Sequence, residues 1–236
     1  MSSIIFNKYQ SRSPNYHWQQ VSRNLFIFNA FVVARYQQVI KLIPKKANQR
    51  LLDIGCGDGV LLNLIKRARL YGVDLDQSSL NYAATRVKAK FFHASAFKLP
   101  FKANFFDVVL ATEIIEHLSR PQPMLQEIRR VLKPNGCAII STPIKPVVGL
   151  TDKLHVREYT PEQLQSFLKI YFKKVKIYQS HPYWLKKMYT SSLLTLGRFH
   201  FDLFRWVINT VVFSTGYNPF LISGDHSTQQ VAVGRK

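Results

Sequence analysis

One stretch of ten residues constrains the fold more than any other: Leu51-Leu-Asp-Ile-Gly-Cys-Gly-Asp-Gly-Val60. The apolar run 51–54 predicts a buried strand, and apolar residues from 60 to 65 predict a helix. Between them lie three glycines at alternate positions, Gly55, Gly57 and Gly59. Glycine permits a tight turn and lets a ligand approach the backbone closely, and the following helix directs its first N–H groups toward the crevice. The stretch therefore predicts a nucleotide-type site in an α/β fold.

The spacing of these glycines distinguishes two classes of ligand. A dinucleotide-binding turn has the pattern G-x-G-x-x-G, but here the third glycine comes one residue early and Val60 stands in its place. Asp53 lies at the end of the strand, where a carboxylate would repel a pyrophosphate and attract a cationic group. The turn predicts a ligand with positive charge near its reactive centre and a ribose further out. A glycine turn without a ligand is the alternative.

A second predicted strand, within residues 69–76, ends in two acids, Asp74 and Asp76. Asp74 lies 19 residues beyond Gly55, near the distance at which cofactor-binding folds place the acid that binds ribose. A carboxylate at this position can accept hydrogen bonds from both ribose hydroxyls. Asp76 is instead typical of a residue that caps the next helix.

Further motifs extend over the rest of the predicted core. They are Phe105-Phe-Asp-Val-Val109, Thr112-Glu-Ile-Ile-Glu-His-Leu118, Val131-Leu-Lys-Pro-Asn-Gly136 and Ser141-Thr-Pro143. Together with the glycine turn they resemble the class I S-adenosylmethionine (SAM) dependent methyltransferases of the type 11-like domain, over about residues 48–143. The resemblance implies SAM as cofactor and a Rossmann-like, seven-stranded sheet flanked by helices, mostly parallel with the last strand antiparallel.

The resemblance also implies which residues hold the cofactor. They are Asp53, Gly55, Cys56, Gly57, Asp74, Leu75, Ser95, Ala96, Thr112 and Glu113. In the family an acid often follows the third strand and binds the adenine amino group, whereas this chain has Ser95 there. A hydroxyl is a weaker acceptor than a carboxylate, and the backbone of Ala96 is a second candidate contact.

Four segments make up the predicted domain organisation. Residues 1–47 are predicted to form a helical cap, because apolar residues recur at helical spacing from Tyr16 to Ile43. In methyltransferases such a segment often covers the cofactor. In this chain His17 and Trp18 are the candidate lid residues. Residues 48–180 form the SAM-binding core, and 227–236 form its final strand. Residues 181–226 are a long, aromatic connection. We expect a helical insertion that acts as a lid or docking element, with an apolar face made of Leu193, Leu196, Phe199, Leu203, Trp206 and Val207.

The predicted catalytic residues are His117 and His155. Glu113, Glu116 and His117 stand at i, i+3 and i+4 and share one face if the segment is helical. His155 follows on a loop that can close over them. Carboxylates with imidazoles suit a proton relay or a divalent ion, and the set is similar to that of ubiquinone-pathway O-methyltransferases and small-RNA 2′-O-methyltransferases. Metal use is left open, and no metal ligand is assigned.

The net charge of +20 is unevenly distributed. Residues 1–50 carry eight Lys or Arg and no acid, residues 51–143 carry twelve against eight acids, and residues 144–236 carry thirteen against five. The excess lies mainly outside the cofactor core, where nucleic acid, an anionic membrane or a phosphorylated substrate could use it. A solvated basic surface without a partner is the alternative.

These features predict methyl transfer to a hydroxyl or carbon of a small-molecule or lipid-like acceptor. RNA ribose 2′-O-methylation with a divalent metal is one alternative, and SAM binding without turnover is another. The segment Ala111-Thr-Glu-Ile differs from the D/N-P-P-Y/F turn of base-amino methyltransferases. Two cysteines without metal spacing, and the lack of a leader-like or membrane-spanning apolar run, predict a cytoplasmic protein with peripheral membrane contact as an option.

Overall fold

The computed structural model describes residues 13, 15–22, 24–25, 27–146, 149, 151–191, 194–196, 199–224 and 226–236. Within them the strands are β1 (Gln49–Ile54), β2 (Ala68–Asp74), β3 (Lys90–His93), β4 (Phe106–Thr112), β5 (Leu132–Pro143), β6 (Lys174–Pro182), β7 (Leu194–Leu196), β8 (Phe199–Phe201) and β9 (Ser227–Arg235). The helices are α1 (Tyr16–Gln20), α2 (Ala30–Leu42), α3 (Val60–Leu64), α4 (Gln77–Arg86), α5 (Gln122–Val131), α6 (Pro161–Lys169), α7 (Tyr183–Thr190) and α8 (Leu203–Thr215). Single 3₁₀ turns span Ile115–His117 and Pro219–Leu221.

Seven strands form one sheet in the order β3-β2-β1-β4-β5-β9-β6. The pairs from β3 to β5 are parallel, whereas β9 runs antiparallel to both β5 and β6. This arrangement confirms the predicted seven-stranded sheet with an antiparallel last strand.

The connections of the sheet create a crevice between β1 and β4. Helices α3 and α4 pack on one face through Leu61, Leu62 and Leu80, whereas α5 and α6 pack on the other face through a set that includes Leu125 and Leu164. The chain therefore changes faces between these adjacent strands. Open α/β sheets bind ligands at such a switch point, outside the carboxyl ends of the strands.

The central strands are apolar because both faces of the sheet are covered. Leu51, Leu52 and Ile54 are fully buried in β1. In the neighbouring strand a Cβ on Gly72 would lie 2.7 Å from Cys56 Sγ and 2.8 Å from Phe91 Cδ1, so only glycine fits there. The glycine turn thus packs directly against the neighbouring strand.

Two helix caps define the starts of α6 and α4, and the second of them, at Asp76, confirms the prediction from the sequence. The Thr160 hydroxyl accepts from the Gln163 N–H at 3.2 Å, and the Gln163 side-chain oxygen accepts from the Thr160 N–H at 3.0 Å, which completes a capping box at the start of α6. Asp76 caps α4 and accepts from the N–H groups of Ser78 and Ser79. Such caps typically contribute about 1 kcal/mol each.

The segment predicted as a helical insertion differs from the expectation. It contains α7, a short hairpin of β7 and β8, and then α8. The proposed apolar helix face is wrong in its first half, since Leu196 and Phe199 lie in strands and α8 begins only after Asp202, whose carboxylate accepts from Arg205 N at 3.0 Å. Leu193 lies outside the described residues.

The insertion and α2 share a separate core cluster. Its buried members are Phe28, Ala30, Ala34, Leu185, Tyr189, Val212 and Phe220. Buried Asn209 connects the parts, because its carbonyl oxygen accepts from the Tyr189 hydroxyl at 2.7 Å and its amide donates to Phe28 O at 2.9 Å. Among the described helices, none combines the length and hydrophobicity needed to cross a bilayer.

Candidate active site

A cavity of about 300 Å³ opens at the carboxyl ends of β1, β4 and β5. Six predicted cofactor residues line it: Asp53, Gly55, Cys56, Gly57, Thr112 and Glu113. Both predicted catalytic histidines, His117 and His155, line it as well. The wall also includes side chains that the sequence did not single out as site residues, among them Phe31, Arg35, Asp58, Lys186 and Gln229.

The glycine turn forms the floor of the cavity. Gly55, Gly57 and Gly59 have φ values of +70°, +49° and +78°, which is the left-handed region that glycine adopts without strain. The turn is fixed to β2, because the N–H groups of Gly55 and Cys56 donate to Val73 O at 2.8 and 3.1 Å. A Cβ on Gly57 would contact no protein atom within 4 Å, so this backbone is open to a ligand.

Asp53 is buried beneath the turn. Burial, together with repulsion from Asp74, raises its pKa well above the ordinary value. Its Oδ1 atom is buried and lacks a hydrogen-bond partner among the described residues. A cationic ligand group in the cavity would satisfy this carboxylate, so the residues present fit the predicted sulfonium cofactor with its charged amino group.

Asp74 stands at the outer side of the turn. Its Oδ2 accepts from Gly57 N at 2.7 Å and its Oδ1 accepts from Asp76 N at 2.9 Å. A carboxylate has about four acceptor sites, which leaves capacity for ribose hydroxyls. Burial raises its pKa. Asp74, Leu75, Ser95 and Ala96 are outside the cavity lining, and their contacts with the cofactor stay predictions.

Helix α1 is attached to the glycine turn. The His17 backbone N–H donates to Asp58 Oδ2 at 2.9 Å, and Trp18 Nε1 donates to Asp58 O at 2.8 Å. Tyr16 and His17 also line the cavity. The predicted lid residues therefore contact the turn itself.

Glu113 occupies a different position from the one predicted. It has a φ of +53°, and the segment that follows is a single 3₁₀ turn rather than an α-helix, so the expected shared face with Glu116 and His117 does not form. Its N–H donates to Ser141 O at 3.1 Å, which continues the sheet ladder and keeps this residue out of the turn.

The carboxylate of Glu113 is bound by side chains from three elements. It accepts from Arg35 Nη1 at 2.6 Å, from Ser141 Oγ at 2.9 Å and from Gln229 Nε2 at 3.4 Å. Burial alone would raise the pKa of Glu113, but attraction to Arg35 and these hydrogen bonds hold it below the ordinary value. Glu113 therefore joins α2 to the carboxyl ends of β4 and β5 and to the amino end of the antiparallel β9.

A second group of polar side chains meets on the other side of the cavity. Ligand atoms of Glu116, His117 and His155 all lie within 4.8 Å of one another, and all three residues are buried. The two imidazole rings are 4.8 Å apart between centroids and nearly perpendicular. The 3₁₀ turn after β4 supplies the first two residues, and the loop before α6 supplies His155.

Each member of this group is oriented by a further contact. His155 Nδ1 is hydrogen-bonded to the Glu158 carboxylate, which also accepts from the Thr151 hydroxyl. His117 Nδ1 lies 3.1 Å from Leu154 O, a group that can only accept. The Nδ1 atoms thus carry the protons, and each Nε2 is the acceptor nitrogen of its ring.

Glu116 completes the group with an unusual carboxyl. Its Oε2 accepts from the Thr142 hydroxyl at 3.0 Å, and its Oε1 is buried without a partner among the described residues. Burial and repulsion from Glu113 raise its pKa well above the ordinary value. The group can accept a proton from a substrate, and its three ligand atoms can also hold a divalent cation.

Sequence reasoning missed Glu158, Arg35 and Lys186. The first had a readable pattern, since a carboxylate three residues after a histidine often orients its imidazole. Arg35 and Lys186 lie in two helices that are far apart in the sequence, and only the tertiary structure brings them to one cavity.

Comparison with known proteins places the core in a defined family. Residues 52–140 match the family described as Methyltransferase domain. A ubiquinone biosynthesis O-methyltransferase of Roseobacter denitrificans is 33% identical over 124 residues, which are 48% of this chain and 50% of that protein. An uncharacterised protein of Methanocaldococcus jannaschii is 30% identical over 164 residues, which are 68% of this chain and 67% of that protein. The chain thus spans about half the length of the first of these relatives.

Solved structures agree with this comparison at the level of the fold. A SAM-dependent methyltransferase of Thermotoga maritima superimposes with a TM-score of 0.67 at 19% identity, over 98% of this chain and 97% of that chain. Phosphoethanolamine N-methyltransferase 2 of Haemonchus contortus, in complex with SAM, gives 0.66 at 18% identity, over 98% and 58%. The agreement covers the insertion as well as the core.

Proposed function

The chain belongs to the class I SAM-dependent methyltransferases, and we propose that it methylates a hydroxyl group of a small, lipid-like acceptor with His155 as the proton acceptor. The observation that carries this proposal is the buried contact between His155 and Glu158 at the wall of the cavity. The names of two relatives, both ubiquinone biosynthesis O-methyltransferases, support an oxygen acceptor. A carbon acceptor, also predicted from the sequence, would need the same cofactor site.

The cofactor side of the cavity supplies binding and orientation. When bound, SAM supplies an electrophilic methyl group on a sulfonium that leaves as a neutral thioether. Asp53 and the open backbone at Gly57 would hold its cationic part, and Asp74 would hold its ribose. The 3₁₀ turn and the His155 loop lie across the cavity, where an acceptor must stand for in-line transfer.

The acceptor side supplies the proton transfer. His155 donates through Nδ1 to Glu158, so its Nε2 can accept the hydroxyl proton. The Glu158 carboxylate stabilises the imidazolium that forms and keeps the ring in this tautomer. The cavity wall beside these groups includes Phe31, which is apolar, and Lys186, which is cationic. The Nζ atom of Lys186 lies 5.6 Å from the centre of the Phe31 ring.

The proposal is tested with purified protein, methyl-labelled SAM and a lysate of the source cell. The products are separated into organic, RNA, protein and small aqueous fractions. We expect label in the organic or small aqueous fraction. The His155→Ala variant should produce no such label, whereas the control variant His226→Ala, at an exposed histidine, should produce as much as the wild type. Label confined to RNA or protein would overturn the choice of acceptor, and SAM binding without any label would favour a non-catalytic protein.

A second candidate is metal-dependent methylation of an RNA ribose. The net charge of +20 favours an anionic polymer, and the three ligand atoms of Glu116, His117 and His155 within 4.8 Å suit a divalent cation. The test compares activity after EDTA with activity after Mg²⁺ or Mn²⁺ is restored. Loss and recovery of label in the RNA fraction would select this candidate, whereas activity that ignores chelation would exclude the metal.

A further inference from the structure

The insertion exposes an apolar surface on two neighbouring helices. We call it the insertion face, and it consists of Tyr183, Trp184 and Met188 on α7 and Leu203, Trp206, Val207, Val211 and Phe213 on α8. Their exposed fractions lie between 37% and 56%. Large contiguous apolar patches on a folded protein mark interaction sites.

On each of the two helices, these exposed side chains alternate with side chains that are buried in one cluster. On α8 the positions 203, 207 and 211 recur at i, i+4 and i+8, which is one helix face. The inner side chains Leu185, Tyr189 and Val212 are buried in the same cluster around Phe220. Since both helices bury their inner sides in one cluster, their outer sides point away from it.

The polar groups of α8 are satisfied within the helix. The hydroxyls of Thr210, Ser214 and Thr215 donate to the carbonyl oxygens of Trp206, Thr210 and Val211 at 2.7–2.9 Å. Arg205 is the charged side chain of this helix, and its guanidinium lies 5.4 Å from the centre of the Tyr189 ring. The polar side chains of α8 therefore need few hydrogen bonds from water, which makes the outer side of this helix suitable for contact with hydrocarbon.

Charge decides between the candidate partners for this face. Residues 183–224 contain four Lys or Arg and one acid, and the whole chain carries +20. Two copies of the chain would repel each other, whereas an anionic bilayer attracts each basic residue near its surface by about 1 kcal/mol. Two tryptophans and a tyrosine on the face match the side chains that prefer the membrane–water interface.

We propose that the insertion face docks on the surface of an anionic phospholipid bilayer. Helices of 8 and 13 residues are too short to span it, so they lie in the interface with their apolar sides inserted. Lys186, on the same helix as Trp184, lines the active-site cavity, so docking brings the cavity next to the lipid. The proposal does not depend on the identity of the methyl acceptor.

The experiment measures binding of the full chain to vesicles of pure phosphatidylcholine and to vesicles in which about one lipid in three is phosphatidylglycerol. We expect binding to the anionic vesicles that is at least about tenfold tighter than to the neutral ones and that weakens with salt. Trp184→Ser/Trp206→Ser should weaken it about tenfold or more, because two large apolar contacts are lost. Lys187→Gln should weaken it about fivefold.

Matched controls and a fold check accompany these variants. Ile170→Ser removes a 74% exposed apolar side chain outside the insertion, and Lys169→Gln removes an exposed lysine on α6; both should bind vesicles like the wild type. The double tryptophan variant, Lys187→Gln, Ile170→Ser and Lys169→Gln should all keep the thermal unfolding temperature and the SAM affinity of the wild type. Because the chain has three tryptophans, Trp18→Phe leaves only those of the insertion face, and their fluorescence should shift to the blue with anionic vesicles.

Three outcomes would overturn the proposal. The first is no binding to anionic vesicles by a correctly folded chain, and the second is equal binding by the double tryptophan variant. The third is concentration-dependent dimerisation that the same double variant abolishes, which would assign the face to a second copy of the chain.

Discussion

The two sides of the active-site cavity are built in different ways. Most of the cofactor side comes from one continuous stretch, β1 with its glycine turn, to which β2 adds Asp74. The acceptor side is assembled from separate segments: the 3₁₀ turn, the His155 loop, α2 and α7. The first side therefore suits a fold that serves unrelated substrates, whereas under the proposed function the second side selects the methyl acceptor.

The two sides should respond differently to mutation, and the largest effect is expected at His155. His155→Ala should lower kcat about 10²- to 10⁴-fold, because the proposed proton acceptor is lost. The affinity for SAM, measured by calorimetry, should stay the same, since the cofactor side is untouched. The exposed-histidine control His226→Ala should leave both quantities unchanged. Equal losses of kcat and SAM affinity would break the separation between the two sides.

A smaller effect is expected at Glu158, which acts through His155. Glu158→Gln should lower kcat about 10- to 100-fold, while the KM for the acceptor and the Kd for SAM stay constant. The imidazole ring of His155 is still present in this variant, but it is less well oriented and its protonated form is less stabilised. Glu158→Asp should restore part of the rate. The exposed control Glu162→Gln should behave like the wild type. Loss of thermal stability without a specific loss of kcat would reduce Glu158 to a structural residue.

On the cofactor side, Gly57→Ala tests the close approach of the ligand. A Cβ at this position meets no protein atom within 4 Å. The free energy of unfolding should therefore fall only by the roughly 1–2 kcal/mol that alanine costs in the left-handed backbone conformation. SAM affinity should fall about tenfold or more. Gly216→Ala is the matched control, since Gly216 has a φ of +73°, has no atom within 4 Å of its Cβ and lies far along the chain in the insertion. A similar SAM affinity in both variants would contradict the proposed role of the turn.

The smallest effect concerns the pH dependence of cofactor binding. Burial raises the pKa of Asp53 in the free protein, so its carboxyl group is protonated at any pH below that pKa. A cationic ligand, in contrast, favours the ionised carboxylate. Binding therefore releases a proton, and SAM affinity should rise with pH by up to about tenfold per unit until the raised pKa is passed. Calorimetry in buffers of different ionisation enthalpy measures this proton. Asp53→Asn should bind more weakly and without pH dependence over this range.

The cofactor side could be predicted from the sequence to a larger extent than the acceptor side. The glycine turn, Asp53 and the cap at Asp76 could be read directly, because each depends on neighbours within a few residues. The seven-stranded sheet followed from motifs that the family shares. Such local patterns carry their own geometry.

The errors arose where tertiary contacts override local spacing. Glu113, Glu116 and His117 have helical spacing, but Glu113 pairs with β5 and with Arg35, and only a single 3₁₀ turn follows it. In the insertion, the spacing of Leu196 and Phe199 with Leu203 matched a helix, but the first two lie in a hairpin. Glu158 had a readable position three residues after His155, but only the structure shows that the two side chains are hydrogen-bonded.

The most direct test of the central claim is the chemical bond of the transferred methyl group. The acceptor product made with ¹³C-methyl SAM is extracted into organic solvent, and its labelled carbon is observed by NMR. The account predicts a methyl carbon bound to oxygen that is formed by the wild type and not by His155→Ala. A methyl carbon bound to nitrogen, or an oxygen-bound methyl that His155→Ala still forms at the wild-type rate, would contradict it.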